Sequence, residues 1–379
     1  MSTNEMLHRL ETLVNQESGT YNKQGVDRVG ETLMQWFSDL GFVITEDVQQ
    51  DRGNNLIGFY KGAKDAKIIV LAHMDTVFKE GTVNVRPFSK DEQYAYGPGV
   101  FDMKASIVVL YEALVELKNE QQEEVLENVV ILFNSDEEVG SIHSRAWIEE
   151  HAREKSFALI LEPTRDKQRV CNARKGGGKY YLHLHGKASH AGMAHQHGES
   201  AVEELAVLIP KLHALTDYDQ GVTVNVGLIE GGTSVNTIAP YAYAGIDLRM
   251  ETIEQAEQFD KLIRAQIAER VNPAITYELE SRSGISRPPF VPDEGSKQLL
   301  RYVQEVGKNM GWTIEAEKTG GGSDGNLTSY IGIPTIDGLG PVGGNAHQED
   351  EYVDISSLEE RKEFLKALIR RLTDATEEQ

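Results

Sequence analysis

The sequence is almost without cysteine, has no long hydrophobic run, and carries far less positive than negative charge; each shortage removes a class of function. Cys171 stands alone, so an internal disulfide is impossible and a cysteine-built zinc site is excluded. Any metal must be held by His, Asp and Glu. No apolar stretch approaches the roughly 18 residues of a membrane span, and Met1-Ser2-Thr3-Asn4-Glu5-Met6 lacks a basic segment with an apolar core behind it. The expectation is a cytoplasmic protein with no membrane partner. With 38 basic against 60 acidic residues the formal charge is −22, a field that repels phosphate backbones and anionic surfaces. Nucleic acid is therefore not an expected partner. Internal repeats and low-complexity linkers are missing as well.

What is present is an ordinary globular composition, 40% apolar and 26% charged. The 379 residues exceed one comfortable core, so two domains are expected. Helical spacing runs from Glu5 to about Asn15 and from Gln24 to Leu40, with Gly41 placed to end the second helix. Phe42 to Val48 and Asn54 to Tyr60 alternate as a hairpin would.

The informative part begins where the apolar run Ile68-Ile69-Val70 continues into Leu71-Ala72-His73-Met74-Asp75-Thr76. A short unbroken apolar run reads as a buried parallel strand, and in open α/β sheets the chemistry lies at the carboxyl ends of such strands. The placement recurs. Val129-Val130-Ile131-Leu132-Phe133 ends in Asn134-Ser135-Asp136-Glu137-Glu138-Val139-Gly140, and Phe157-Ala158-Leu159-Ile160-Leu161 ends in Glu162-Pro163. Between them Gly97-Pro98-Gly99-Val100-Phe101-Asp102-Met103-Lys104 leads into a helical pattern from Ala105 to Leu117, where Asp102 taken alone fits an N-cap. From Lys179 the order becomes β-α-β-β-α-β, the ferredoxin-like sequence of elements. The expected organisation is a catalytic domain over residues 1–175 and 285–379, with a module inserted over 176–284.

His73, Asp102, Glu138, Glu162 and His347 supply two imidazoles and three carboxylates to one predicted sheet rim. Clustered carboxylates without a counter-charge repel and stay partly protonated, a conflict that divalent metal resolves. One shared carboxylate, with a histidine and a carboxylate for each ion, makes two nitrogen/oxygen sites of the kind zinc prefers. Two ions about 3.5 to 4 Å apart can share a hydroxide.

On these motifs, together with Gly186-Lys187-Ala188-Ser189-His190-Ala191-Gly192 and Gly320-Gly321-Gly322-Ser323-Asp324, the chain resembles metallopeptidase family 20. That family includes glutamate carboxypeptidase, acetylornithine deacetylase, succinyl-diaminopimelate desuccinylase and the aminoacylases. The resemblance covers nearly the whole chain. It implies an α/β catalytic domain of the zinc-peptidase kind, with a mostly parallel sheet flanked by helices, and an inserted ferredoxin-like lid that also forms a homodimer. It further implies two Zn2+ per chain, for which Co2+ or Mn2+ can substitute. Asp102 would bridge the ions, His73 and Glu162 would complete one site, and Glu138 and His347 the other. Glu137 would be the general base, Asp75 the carboxylate orienting His73, and His190 an oxyanion donor that reaches a neighbouring chain's site along with Asn236. Arg249 and Arg287 match positions assigned to substrate recognition, and Gly322 and Ser323 could add backbone donors. Ala105-Ser106 departs from the glycine that many relatives carry after the lysine.

The implied activity is cleavage of an amide or peptide bond next to a free carboxylate, in a small peptide or N-acyl amino acid, by a metal-held hydroxide. An N-acyl-amino-acid deacylase is the alternative within the class, and an inert metal-binding relative the alternative outside it. Retention of Glu137 beside every ligand argues for an enzyme. His183, His185, His195 and His197 are read as surface residues.

Overall fold

Three neighbouring strands of one sheet decide where the site lies. The computed structural model describes residues 3–377, and the chain divides into two units. The first comprises the described residues up to Ala173, Pro292–Lys318, and the described residues from Ser323 onward. Its main sheet runs in the order Phe42–Asp47, Asn55–Tyr60, Val129–Asn134, Ile68–His73, Phe157–Ile160 and Thr335–Ile336. The hairpin and its junction with Val129–Asn134 are antiparallel; the remaining pairings are parallel.

The parallel strands are apolar without interruption because both of their faces are covered. Ile68, Val70, Ala72, Val129, Ile131 and Phe133 lie in a core that also holds apolar residues of the helices Thr3–Val14, Lys23–Leu40, Ala105–Asn119 and Ile355–Glu377. The alternate residues Ile69, Leu71, Val130 and Leu132 share a second core with Ile148, Ala152, Leu327 and Ile333. Strand pleating sends successive side chains to opposite faces, which is why one run feeds two cores. The helix Lys23–Leu40 opens with the Asn22 side chain accepting the Gly25 N–H at 3.0 Å. It closes on Gly41 at φ 113°, a left-handed turn that glycine adopts without strain.

One local expectation changes. The helix Ala105–Asn119 has Lys104 at its N-cap position, while Asp102 lies ahead of it at φ −114° and ψ 94°. Asp102 is therefore not the cap, and its carboxylate lies between His73 and His347.

The second unit is Arg174–Val291 with Thr319–Gly322. Its antiparallel sheet has the order Thr223–Gly231, Tyr241–Met250, Gly176–His185, Thr276–Leu279, with Gly284–Arg287 also pairing Gly176–His185. The helices Ala201–His213 and Ile253–Ala268 share a core with it, Leu205, Leu208, Phe259 and Ile263 joining Tyr180, Leu182, Ala244 and Ile246. This is the ferredoxin-like arrangement.

The unit is wider than 176–284. Arg174 and Phe290 exchange backbone hydrogen bonds of 3.1 and 2.9 Å, and the Lys175 N–H reaches the Thr319 carbonyl at 3.1 Å. These bonds draw both connections, and the loop Thr319–Gly322, into the unit. Gly322 thus lies in the second unit and Ser323 in the first, where both had been expected in the catalytic domain. Among the described residues no helix is long and apolar enough to cross a membrane.

Candidate metal centre

The strand Ile68–His73 sits between Val129–Asn134 and Phe157–Ile160, in a register that pairs His73 with Asn134 and Leu71 with Ile160. Neighbouring strands lie about 4.8 Å apart, so the segments leaving their carboxyl ends converge. His73 is the last residue of the middle strand, Glu137 and Glu138 form a short turn after the one, and Glu162 follows the other.

Ligand-type atoms of His73, Asp102 and Glu138 lie within 4.8 Å of one another, and so do those of His73, Glu137 and Glu162. Asp102 is the link. One of its oxygens is 3.0 Å from His73 Nε2 and the other 3.2 Å from His347 Nε2. His347 Nε2 is also 3.3 Å from Glu138, and His73 Nε2 is 4.0 Å from Glu162. All five expected ligands thus come together in the first unit, with Glu137 beside them.

Asp75 does more than face His73. His73 Nδ1 lies 2.9 Å from the Asp75 carbonyl and 3.4 Å from its carboxylate. That fully buried carboxylate also accepts the N–H groups of Glu137 at 3.1 Å and Glu138 at 3.3 Å, and the Thr20 hydroxyl at 2.6 Å. One side chain therefore fixes a histidine and the turn that carries two glutamates.

Electrostatics show a site crowded with negative charge. Burial pushes the Glu138 carboxyl up to about 8. Burial and the neighbouring Asp102 charge raise Glu162 well above the carboxylate range. Burial opposes a charge on His73, but its bonds to Asp102 and Asp75 outweigh that and hold the imidazole well above its ordinary value. Hydrogen bonds to Asp102 and Glu138 lift His347 to about 10. Burial also works against a charge on Asp102, yet the bonds from His347 and His73 win and keep it below its usual value. Protons here occupy positions that divalent cations would take. Glu138 Oε1 provides the test of fit, because it is buried with no hydrogen-bond partner. Such an atom costs free energy unless a cation meets it, and the donor set around it is nitrogen and oxygen only. The residues fit a pair of divalent ions.

Two positioning groups escaped sequence reasoning. Glu351 is fully buried and accepts the N–H groups of Phe101 at 2.8 Å, Asp102 at 3.1 Å and Gly99 at 3.3 Å, which ties the Asp102 loop to the segment that follows His347. Burial lifts its carboxyl to about 7 despite those donors. The available signal was an acid four residues beyond a ligand histidine. Thr20 gave no signal, since nothing in Ser18-Gly19-Thr20 separates it from an ordinary polar turn.

Ser323 requires a correction. Its N–H goes to Asn326 Oδ1 at 2.9 Å and its hydroxyl to Asp337 at 2.5 Å, so both donors are committed within the fold and none remains for a substrate. In the second unit, Arg249 and Arg287 flank Gly177 as its two cross-strand neighbours. Arg249 holds Asp247 through two bonds of 2.9 and 3.1 Å, whereas Arg287 is buried. His190 and Asn236 lie on adjoining exposed loops, joined by the Ala191 N–H to the Asn236 carbonyl at 2.9 Å. His190 Nδ1 accepts the N–H groups of Gly192 and Met193 at 3.1 and 3.2 Å. A neutral ring must then carry its proton on Nε2, as a donor.

Residues 69–371 match peptidase family M20/M25/M40. The chain belongs to peptidase family M20. It is a hydrolase of that metallopeptidase and amidohydrolase group. Carboxypeptidase G2 of a Pseudomonas species (strain RS-16) is 32% identical over 97% of this chain and 89% of its own length. Succinyl-diaminopimelate desuccinylase of Xylella fastidiosa is 29% identical over 80% of this chain and 83% of its own. A dinuclear metal-binding M20 peptidase of Bacillus subtilis shares the fold with a TM-score of 0.72 at 16% identity, covering 98% of both chains.

Proposed function

We propose that this M20 hydrolase is a di-zinc enzyme that cleaves an amide or peptide bond next to a free carboxylate, most like a glutamate carboxypeptidase. The observation that carries the reading is Asp102, with one oxygen 3.0 Å from one histidine, the other 3.2 Å from a second, and a further carboxylate beside each. His73 and Glu162 would hold one ion, Glu138 and His347 the other, and Asp102 both. When bound, the ions supply Lewis-acid polarisation of the carbonyl and lower the pKa of a water. Glu137 would take a proton from the attacking water as its oxygen bonds the carbonyl carbon, and would deliver that proton to the leaving nitrogen as the C–N bond breaks. Asp75 keeps His73 and the Glu137-Glu138 turn in register. His190 donates from Nε2 to the developing oxyanion, and it does so from a second copy of the chain. The exposed Leu228 and Ile229 on the edge strand Thr223–Gly231 support such pairing. The desuccinylase relative keeps N-acyl-amino-acid deacylation as the second reading, with the same chemistry and a different leaving group. A panel of N-acyl glutamates and aspartates, short peptides, acetylornithine and succinyl-diaminopimelate separates the two.

Zinc titrated into metal-free protein is expected to saturate at two equivalents and to release protons. The sign follows from the raised groups: Glu138, up to about 8, and His347, up to about 10, keep protons at pH 7 that a metal must displace. Apparent affinity therefore rises with pH through that window, and calorimetry in buffers of different ionisation enthalpy reads the protons released. Saturation at one equivalent with every ligand intact removes the two-ion reading.

Arg287, which is buried, is the first candidate for the substrate carboxylate, since a planar guanidinium fork matches a carboxylate. Arg287→Ala is expected to lower kcat/KM by roughly 2 to 4 kcal/mol and to abolish the preference for a free acid over its amide. An enzyme that still discriminates fully takes Arg287 out of recognition.

A further inference from the structure

Arg361 is a buried cation that the chemistry described above does not use. It lies on the helix Ile355–Glu377 and is fully buried. Among the described residues no carboxylate bonds it; its partners are three backbone carbonyls, of Gly338 at 2.7 Å, Lys167 at 3.1 Å and Leu339 at 3.3 Å. Burial draws its pKa down to about 9, which leaves it charged at neutral pH. A buried charge without an opposite partner is unfavourable, and an apolar side chain of similar volume would fill the space at a smaller penalty. What the guanidinium adds is a planar fork that ties two stretches of backbone together.

Those two stretches hold the ligand Glu162. Past the strand Phe157–Ile160 the chain runs beside residues 339–343: the Leu339 N–H donates to the Ile160 carbonyl at 3.4 Å, the Gly340 N–H to the Glu162 carbonyl at 2.9 Å, the Thr164 N–H to the Pro341 carbonyl at 3.1 Å, and the Gly343 N–H to the Thr164 carbonyl at 3.2 Å. The approach is close, since a Cβ on Gly340 would come 2.6 Å from the Leu161 carbonyl oxygen and 3.0 Å from that of Glu162. Arg361 grips one side of this ladder at Gly338 and Leu339 and the other at Lys167. One turn earlier on the same helix face, the Ser357 hydroxyl accepts the Val342 N–H at 2.9 Å. The Glu162 carboxylate comes no closer than 4.0 Å to His73 Nε2, so its backbone sets where it stands. His347, farther along the second stretch, is fixed separately, because Gly343–Gly344 pairs with Tyr352 and Val353.

We propose that Arg361 is a positioning residue for Glu162, acting through the Gly340–Glu162 hydrogen bond, and that the ion assigned to His73 and Glu162 depends on it while the ion assigned to Glu138 and His347 does not. The inference rests on the two-ion reading above. The test is stepwise zinc binding to the metal-free protein, measured by competition with a chromophoric chelator. Arg361→Met should weaken one of the two equivalents about 10- to 100-fold, the usual effect of losing a group that orients a ligand, and leave the other within about threefold. Arg361→Lys keeps the charge without the fork and should recover part of that loss; it also carries the test if the methionine variant does not fold. The decisive comparison is made in a Glu162→Ala background, where Arg361→Met should change the remaining affinity by less than about threefold, as expected if the two residues act as one unit. A loss of the same size with Glu162 absent, or an equal loss at both equivalents, overturns the proposal. Hydrogen exchange supplies a readout without metal: peptides covering residues 160–165 should exchange faster in Arg361→Met while Ile68–His73 stays unchanged, and unaltered exchange at 160–165 also overturns it. If the wild type takes up a single equivalent, the two-ion reading fails by itself; Arg361 then keeps its role if Arg361→Met weakens that ion only when Glu162 is present, and loses it otherwise.

Discussion

Glu137→Gln is expected to keep two equivalents of zinc and to lose turnover by about 10²- to 10⁴-fold, the usual contribution of a positioned general base. The geometry makes this a sharp test because Glu137 has a rival role. Its carboxylate lies within 4.8 Å of ligand-type atoms of both His73 and Glu162, which is near enough to be a ligand itself. A ligand's loss would show in metal content, whereas a base's loss would show in kcat. The backbone that carries Glu137 should be unmoved by the change, since its N–H is held by Asp75 at 3.1 Å and the neighbouring Glu138 N–H by the same carboxylate at 3.3 Å. The amide is close in shape to the carboxylate but cannot take up a proton at neutral pH, so only the proton transfer is removed. A variant that binds one equivalent identifies Glu137 as a ligand; one that keeps both ions and near-full activity places the base elsewhere.

The parallel part of the fold was legible because its physics is local. A strand covered on both faces must be apolar at every position, so Ile68–His73, Val129–Asn134 and Phe157–Ile160 announce themselves without knowledge of their neighbours. Their order in the sheet does not. That Ile68–His73 lies between the other two is a tertiary fact, and it is what turns three strand ends into one cluster. The sequence of elements in the second unit was readable for the same local reason, but its edges were not. Arg174 pairing with Phe290 and Lys175 bonding to Thr319 join residues more than a hundred positions apart, and no periodicity records such pairs.

The candidate site divides the same way. His73, Glu138 and Glu162 follow from strand ends, but Asp102 taken alone looked like a helix cap; the family resemblance implied a bridging role for it, and its carboxylate lies between His73 and His347. Glu351 and Thr20 act through buried hydrogen bonds to distant segments; the spacing of Glu351 from His347 was the one signal, and Thr20 carried none. Ser323 failed in the opposite sense. A glycine-rich stretch suggests free backbone donors, yet the Asn326 side chain closes the turn on the Ser323 N–H. Donor availability depends on which acceptors fold against a loop, and composition does not specify that.

Mixing two inactive variants, His190→Ala and Glu137→Gln, is expected to restore activity if His190 works in the site of a second chain. His190→Ala alone should lose about 10²- to 10³-fold, the scale of one oxyanion donor. The ring is prepared for that task. Its Nδ1 accepts from Gly192 and Met193, which leaves Nε2 as the donor in the neutral form. The loop bearing it is braced by the Ile238 N–H to the Ser189 carbonyl and the Ala191 N–H to the Asn236 carbonyl, both 2.9 Å, so the donor is held without a substrate present. Val235 stands fully exposed beside Asn236, and Leu228 and Ile229 are 61% and 63% exposed on the edge strand of the same unit. Such apolar exposure suits a surface that meets another copy. In a twofold dimer, half the mixed chains form heterodimers, and each heterodimer contains one site with both Glu137 and a partner histidine. Recovery should therefore approach about a quarter of the wild-type rate. Subunit exchange has to be confirmed independently, by mass-tagged chains. With exchange established, a mixture no more active than the better of the two variants means that each site is complete within one chain, and His190 then serves its own chain's site or none.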